Sequence, residues 1–143
     1  MEKNLYLSAL SILRNKEDAK DALQEAIYLA YKEQDTLKEK CAFKAWITKI
    51  VINESYKIYN RRKRFIDISE SDNLCFQSAD NDDLHFFDII SHLKKSDKTI
   101  IILRFYNDCS IEEISNLLKM PLSTVKSRLY RALKKIKNEM EDD

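Results

Sequence analysis

Residues 110–140 read SIEEISNLLKM-PLSTVKSRLYRALKKIKNEM, and this stretch decides the fold of the C-terminal half of the chain. Its first part carries a helix start signal, because Ser110 and Glu113 have the spacing of a capping box. Pro121 cannot lie inside a helix but can begin one, so a tight turn is predicted just before it. Ser123 is a suitable N-cap for the second helix. The stretch is therefore predicted to form a helix-turn-helix.

The second helix of this unit combines an apolar stripe with a basic outer face. Residues 119–137 contain seven Lys or Arg and no Asp or Glu. The apolar positions recur at helical spacing, and they are Val125, Leu129, Ala132, Leu133 and Ile136. The outer face and its flanks carry Thr124, Lys126, Ser127, Arg128, Arg131 and Lys134. Such a helix suits the major groove of DNA, where outer side chains reach base edges and cations reach phosphates. The alternative is a helical hairpin whose basic face is merely solvated.

The composition of the chain also favours helices. Among 143 residues there is no glycine and only one proline, whereas a β-rich protein needs glycine in its turns. Apolar residues make up 44% of the chain, which is enough for a core. The fold class predicted is all-α, with two small helical domains joined by an acidic linker.

The overall charge of +1 hides three blocks of different sign. Residues 1–66 contain 14 basic and 9 acidic side chains. Residues 67–92 contain 7 acidic side chains and no basic one, and residues 93–143 contain 11 basic and 8 acidic side chains. The stretch 67–83 is polar and has no helical periodicity, so we interpret it as a linker between domains 1–66 and 84–143. Each basic block could bind a polyanion by itself.

Two further helices are predicted between the linker and the helix-turn-helix. The first spans about residues 84–95, and the second is expected to be capped by Asp97. The apolar run from Ile100 to Leu103 indicates burial on most sides of that second helix.

The N-terminal block reads as three helices, at about 3–14, 16–32 and 42–65. On the second helix, Asp18, Asp21 and Glu25 fall on more exposed positions beside Gln24. Paired carboxylates can serve acid–base catalysis, but neither a histidine nor a nucleophile is near them in the sequence. A solvated or protein-binding surface is therefore the favoured interpretation.

The third helix carries an aromatic and basic face. Trp46, Lys49, Asn53 and Lys57 share one side, and a basic run with Arg61, Arg62 and Arg64 ends the helix. Single-stranded nucleic acid is bound by such faces, because bases stack on rings and cations follow the backbone. On the residues alone, a core tryptophan with a solvated basic tail is an equal alternative.

Cysteine and histidine usage predicts neither a metal nor a cofactor. Cys41, Cys75 and Cys109 are widely separated and lack metal-ligand spacing, which indicates free thiols in a reducing cytoplasm. His85 and His92 have no further ligand nearby in the sequence. No signal peptide or apolar run of membrane-spanning length is visible, so a cytoplasmic protein is expected.

Taken together, these segments resemble bacterial RNA polymerase sigma factors of the small, two-domain, extracytoplasmic-function (ECF) type. The stretches EDAKDALQEAIYLAYK and FKAWITKIVINESYKIYNRRKR are similar to region 2 of that family. The stretch LRFYNDCSIEEISNLLKMPLSTVKSRLYRALKKIK is similar to region 4. One departure lies in the helix-turn-helix turn, where Lys119 occupies a position that is often glycine in the family.

The resemblance implies a role for each set of residues. Binding to the core polymerase is implied for Asp21, Gln24 and Glu25. Melting and reading of the −10 promoter element is implied for Trp46, Lys49, Asn53, Lys57, Arg61, Arg62 and Arg64. Recognition of the −35 element in duplex DNA is implied for Thr124, Lys126, Ser127, Arg128, Arg131 and Lys134. The implied partners are core RNA polymerase, promoter DNA in duplex and single-stranded form, and an anti-sigma factor that could hold the protein at the membrane. No small-molecule substrate is expected, and the chain is predicted not to be an enzyme.

Two other classes of protein are compatible with parts of the sequence. A stand-alone helix-turn-helix regulator would need a dimer interface or a ligand domain, and neither a heptad seam nor a pocket-forming domain is visible. A nuclease would need clustered carboxylates or histidines for metal ions, but the acidic residues lie in the linker and on one helix face.

Overall fold

The computed structural model describes residues 2–36, 43–66 and 81–141, and within these ranges it is built of helices without strands. The helices are α1 (Glu2–Leu13), α2 (Lys16–Lys32), α3 (Phe43–Ile66), α4 (Asn81–Ser91), α5 (Lys95–Ile101), α6 (Ile111–Leu118) and α7 (Leu122–Glu141). A 3-10 turn follows α2, and a π-helical segment continues α5 through Ile102–Tyr106. The predicted all-α class is confirmed. Most of the predicted linker lies outside the described ranges, and α4 begins three residues before the expected start at 84.

The first three helices pack into a bundle around α2. The inner face of α2 consists of alanines, and Ala19, Ala22 and Ala26 are fully buried. Because alanine is small, α1 and α3 can both approach the α2 backbone closely. The turn between α1 and α2 is fixed by Asn15, whose side-chain oxygen accepts a hydrogen bond from the backbone N–H of Asp18 at 3.0 Å.

The C-terminal half is organised around α5. Its run from Ile100 to Leu103 is completely buried, as the uninterrupted apolar pattern predicted. Helix α7 lies across α5 and α6 and buries Val125, Leu129 and Ala132. The stripe predicted for α7 therefore faces the core, and the opposite side of the helix is left to solvent.

The predicted capping box is present at the start of α6, the first helix of the helix-turn-helix. The N–H of Glu113 donates to the Ser110 hydroxyl at 3.1 Å, and the N–H of Ser110 donates to the Glu113 carboxylate at 3.0 Å. Helix α6 ends at Leu118, and the C-cap residue Lys119 adopts the left-handed conformation with φ 55° and ψ 47°. This is the position where glycine would be least strained, since its missing Cβ removes the steric conflict.

Three sequence-based predictions about side chains are wrong. Asp97 does not cap α5, because the helix begins two residues earlier and the Asp97 side chain is buried inside its first turn. Ser123 is not the N-cap of α7, because the Pro121 carbonyl already accepts from the N–H groups of Thr124 and Val125. Asp18 is not exposed but buried, because it faces a cation from α3.

The two halves of the chain contact each other and share one continuous apolar core. In the middle of the contact, the side-chain amide of Asn107 donates to the hydroxyl of Ser8 on α1 at 3.0 Å, and both residues are buried. At its edge, Arg14 pairs with Asp88 of α4. The ammonium group of Lys95 lies 4.5 Å from the centre of the ring of Tyr56 on α3.

Candidate nucleic-acid interface

The outward face of α7 presents cations and hydroxyls at helical spacing. Lys126, Ser127 and Lys134 are exposed, while Thr124 and Arg128 are half-buried at the flanks. All of them were predicted to contact duplex DNA. One further exposed side chain on this face was missed, namely Tyr130, which is 66% exposed although it is large and partly apolar. Its position four residues after Lys126 and four before Lys134 could have revealed it, because residues four apart share a helix face.

Arg131 has a partner inside the protein. One guanidinium nitrogen of Arg131 donates to both carboxylate oxygens of Asp97, at 2.9 and 3.2 Å. The Asp97 side chain is fully buried, whereas the Arg131 side chain keeps 51% of its surface exposed. The pair therefore ties α7 to the first turn of α5 and leaves part of the guanidinium open to a ligand.

The predicted single-strand face of α3 is divided into two parts. Towards the C-terminal end of the helix, Asn53, Lys57, Arg61 and Arg64 are exposed. Towards its N-terminal end, Trp46 is half-buried and its ring centre lies 5.9 Å from that of Phe43. Lys49 is also half-buried, because its ammonium group donates to the backbone carbonyl of Leu117 in α6 at 3.3 Å.

Arg62 repeats the arrangement of Arg131 in the other half of the chain. One of its nitrogens donates to Asp18 of α2 at 2.7 Å, and the carboxylate is buried while more than half of the arginine side chain is exposed. The pair fixes the basic end of α3 against α2. A cation held by a buried carboxylate loses little further rotamer freedom when an anion such as phosphate binds it.

The outer face of α2 has an acidic part and an apolar part. Asp21, Gln24 and Glu25 are exposed, as predicted. One turn further, three large side chains are also exposed, at 47% for Ile27, 58% for Tyr28 and 76% for Tyr31. Ile27 is exposed although the neighbouring Ala26 is fully buried, because the alanines form the inner face of α2. Exposed apolar side chains grouped beside charges are typical of a protein-binding surface.

An open groove of about 720 Å³ separates the acidic face of α2 from the basic end of α3. Asp21 and Glu25 line one wall, and Lys57 and Arg61 line the other. The α2 wall is acidic, whereas the α3 wall carries both signs, because Glu54 also lines the groove and pairs with Lys57 at 3.0 Å.

Two buried side chains away from these surfaces have raised pKa values. Burial, reinforced by the charge of Glu113, raises the pKa of the Cys109 thiol to about 11, so this thiol is protonated at neutral pH. Burial, together with the neighbouring Tyr59, also raises the pKa of Tyr56. In residues 2–36, 43–66 and 81–141, no group of three or more His, Cys, Asp or Glu side chains could hold a metal ion. None of the described helices is long and apolar enough to cross a membrane.

Comparison with known proteins assigns both halves. Residues 3–65 match Sigma-70 region 2, and residues 86–136 match Sigma-70 region 4. The chain is 34% identical over 138 residues to the RNA polymerase sigma factor SigV of Bacillus subtilis, covering 93% of this chain and 82% of that protein. It is 28% identical over 144 residues to the ECF RNA polymerase sigma-E factor of Escherichia coli, covering 87% and 74%.

Two solved structures have the same fold. The sigma factor RpoE of Bartonella quintana, in complex with the anti-sigma factor NepR, aligns with a TM-score of 0.75 at 24% identity, covering 97% of this chain and 91% of that one. CnrH, in complex with the cytosolic domain of CnrY, aligns with a TM-score of 0.74 at 18% identity, covering 99% and 83%. With an exposed basic helix-turn-helix, a basic third helix and matches over both halves, the chain belongs to the ECF-type sigma factors of bacterial RNA polymerase.

Proposed function

We propose that this sigma factor divides promoter recognition between its two halves, with α7 reading the −35 element as duplex and α3 holding the −10 element as a single strand. The observation that carries the proposal is the outward face of α7. Lys126, Tyr130 and Lys134 follow one another every fourth residue and are exposed, while Leu129 behind them is buried. A helix fixed by its apolar stripe can present that face to the major groove without changing its packing.

On α7, the two kinds of contact fall on different residues. Ser127 and Tyr130 carry hydroxyls at the centre of the face and are placed to reach base edges. Lys126 and Lys134 flank them and are placed to reach phosphates. Arg131 combines both roles, because its bond to Asp97 sets the direction of the exposed part of the guanidinium.

On α3, we assign base capture to Trp46 and Asn53 and backbone binding to the basic run that ends the helix. Trp46 offers a ring on which a base can stack, and Asn53 offers an amide for hydrogen bonds. Arg61, Arg62 and Arg64 supply cations for the phosphates of the strand. The unstacking of a base costs a few kcal/mol, and these contacts offset it.

The core polymerase binds the outer face of α2 in this scheme. Asp21, Gln24 and Glu25 supply an acidic surface, and Tyr28 and Tyr31 add apolar area beside it. Aromatic residues next to charges are enriched among the residues that dominate protein interfaces. The chain itself supplies no catalysis, because the polymerase performs the nucleotide chemistry, and it acts in the cytoplasm where polymerase and promoters meet.

An anti-sigma factor completes the set of proposed partners. Two proteins of the same fold were solved in complexes: RpoE of Bartonella quintana with the anti-sigma factor NepR, and CnrH with the cytosolic domain of CnrY. The exposed aromatic residues on α2 give an inhibitor a surface on which it would compete with the polymerase. An inhibitor anchored in the membrane would hold the factor there until a signal releases it.

The test is reconstitution with core RNA polymerase, followed by run-off transcription on a promoter library. The wild-type chain is expected to copurify with the core enzyme and to start transcription at sites that share two sequence elements. Asp21→Arg reverses a charge on the α2 face and is expected to reduce core binding at least tenfold, by analogy with charged interface pairs. Glu17→Arg makes the same change of charge at the start of α2 and serves as the control. A wild-type chain that never binds core but protects DNA as a dimer would instead be a stand-alone regulator.

A further inference from the structure

Asp18 is an acidic residue whose position in the first turn of α2 is fixed by its neighbours. Its backbone N–H donates to the side-chain oxygen of Asn15 at 3.0 Å, so the residue belongs to a capped helix start. Its side chain keeps only 6% of its surface exposed. The partial positive charge at a helix N-terminus favours a carboxylate at this place. Asp18 is therefore a fixed and buried anion inside the N-terminal half.

The Asp18 carboxylate holds one edge of the Arg62 guanidinium on α3. Nη2 of Arg62 donates to Oδ1 of Asp18 at 2.7 Å, and Nε lies against Oδ2. Because a guanidinium is planar and rigid, fixing the edge formed by Nε and Nη2 fixes the direction of the whole group. The other edge, formed by Nη1 and Nη2, then faces away from the buried carboxylate. Since 55% of the Arg62 side chain is exposed, this second edge is open to a ligand.

The surroundings of Arg62 favour an anionic ligand at the open edge. Its neighbours Arg61, Lys63 and Arg64 at the end of α3 are exposed cations. Two parallel N–H groups on one edge of a guanidinium match two oxygens of a phosphate, which is why arginine is favoured at phosphate sites. A guanidinium that is already directed by a buried carboxylate loses less side-chain entropy on binding than a free one.

From this geometry we propose that Asp18 is a positioning residue for nucleic-acid binding. It holds Arg62 so that the open edge of the guanidinium binds two oxygens of one backbone phosphate. The identity of that phosphate as part of the −10 strand rests on the proposed function, whereas the geometry of the pair does not. Charge alone predicts the opposite role, because a carboxylate near a polyanion repels it and its removal should strengthen binding. If Asp18 acts through Arg62, its removal weakens binding instead.

The sign of this effect is tested by anisotropy, using a labelled oligothymidine and the free, full-length factor at low salt. Asp18→Asn keeps the shape of the side chain but removes its charge and one acceptor oxygen, and it is expected to weaken binding about fivefold. Glu17→Gln removes one acidic charge at the adjacent, exposed position and is the matched control, with affinity unchanged or slightly raised. An Asp18→Asn protein that binds as tightly as the control would overturn the proposal.

The contact to a phosphate also predicts that the effect does not depend on sequence. Phosphate contacts carry no base information, so a strand of mixed sequence should lose the same factor as oligothymidine in Asp18→Asn. A loss confined to strands that contain guanine would show that the open edge of Arg62 reads a base, which would contradict the proposal.

Two readouts separate positioning from a purely structural role. Each phosphate contact of a single strand contributes about 0.7 to the slope of log affinity against log salt, so Asp18→Asn should reduce the slope by about that amount, as Arg62→Ala does. In the Arg62→Ala background, Asp18→Asn should have no further effect on affinity, because it acts only through that arginine. A general loosening of α2 against α3 would weaken binding in both backgrounds, so additive effects would refute the proposal.

The guanidinium itself gives an NMR signature that does not depend on affinity. Nε of Arg62 lies against the buried carboxylate, so its N–H should exchange slowly with solvent and give a signal that disappears in Arg62→Lys. This signal should persist when the oligonucleotide is bound, because the phosphate takes the other edge. Its loss on binding would mean that the strand displaces Asp18. Arg62→Lys keeps the charge without the planar edge, so wild-type affinity in this variant would contradict the proposal without recourse to Asp18→Asn.

Failure of this inference and failure of the proposed function have different signatures. A wild-type factor that binds no single strand at low salt would overturn both. If single-strand binding depends on Asp18 as expected but the factor never binds core polymerase, the positioning role stands and the proposed function fails.

Discussion

Replacing Arg131 with alanine is expected to destabilise the C-terminal half as well as to weaken binding of the −35 element. Asp97 has no exposed surface, and Arg131 donates to both of its oxygens. Removing one partner of a fully buried ion pair costs about 3–5 kcal/mol, because the other charge is left without compensation. Since the Arg131 side chain is 51% exposed, water can partly replace it, and a cost near the lower limit, about 3 kcal/mol, is expected.

The two partners of this pair are not equivalent. Asp97→Ala leaves behind a cation that can turn into solvent, so its cost should be smaller, about 1–2 kcal/mol. Asp97→Ala combined with Arg131→Ala should be more stable than Arg131→Ala alone, because no charge remains buried. Lys134→Ala, on the exposed face of the same helix, is the control and should change stability by less than about 0.5 kcal/mol.

Urea unfolding followed by circular dichroism measures these differences as shifts of the midpoint at constant slope. If Arg131→Ala and Lys134→Ala have the same urea midpoint, the ion pair does not contribute to stability, and the reasoning from the burial of Asp97 is refuted. Loss of −35 binding in Arg131→Ala could then be attributed to DNA contact alone. The comparison with Asp97→Ala therefore separates the two roles of this arginine.

Three further changes test other parts of the structure. Lys119→Gly should stabilise the protein by about 1 kcal/mol, because the left-handed conformation there costs a residue with a Cβ about that much, and the urea midpoint measures it. Tyr130→Ala should weaken binding of a −35 duplex, measured by anisotropy, by about 1 kcal/mol with an unchanged unfolding midpoint, because the side chain is exposed. Cys109 should react slowly with iodoacetamide at about pH 8, since its pKa is raised to about 11. The thiol ionises at lower pH in the unfolded chain than in the folded one, so the free energy of unfolding should fall as pH rises from the ordinary pKa of cysteine to about 11. Cys109→Ser lacks this thiol and should not show that part of the fall. A difference in unfolding free energy between the two proteins that stays constant over this pH range would contradict the prediction.

The parts of the fold that were predictable from sequence depend on local signals. The capping box of Ser110 and Glu113, the turn before Pro121 and the stripe that includes Val125 act over one or two helix turns, and all three are present in the structure. Helix boundaries in the N-terminal half were close for the same reason. The functional roles of individual residues came from family resemblance, and they remain proposals.

The features that escaped prediction join residues far apart in the sequence. Arg131 and Asp97 are 34 residues apart, and Arg62 and Asp18 are 44 residues apart. No periodicity in the sequence relates such positions. From the sequence alone, an acidic residue that pairs with a distant cation cannot be distinguished from a helix cap or from a solvated charge. The contact between Asn107 and Ser8 was invisible for the same reason, because it exists only once the two halves have packed together.

The position of Trp46 has a practical consequence. It is the only tryptophan in the chain, it is half-buried, and it lies on the face of α3 that also carries Lys49. Its fluorescence therefore reports on one defined place without any label. A base stacked on the indole would quench the emission, so the binding of a single strand can be followed directly. The sigma factor thus carries an intrinsic fluorophore at the proposed −10 face, and its emission can time strand capture in a stopped-flow record.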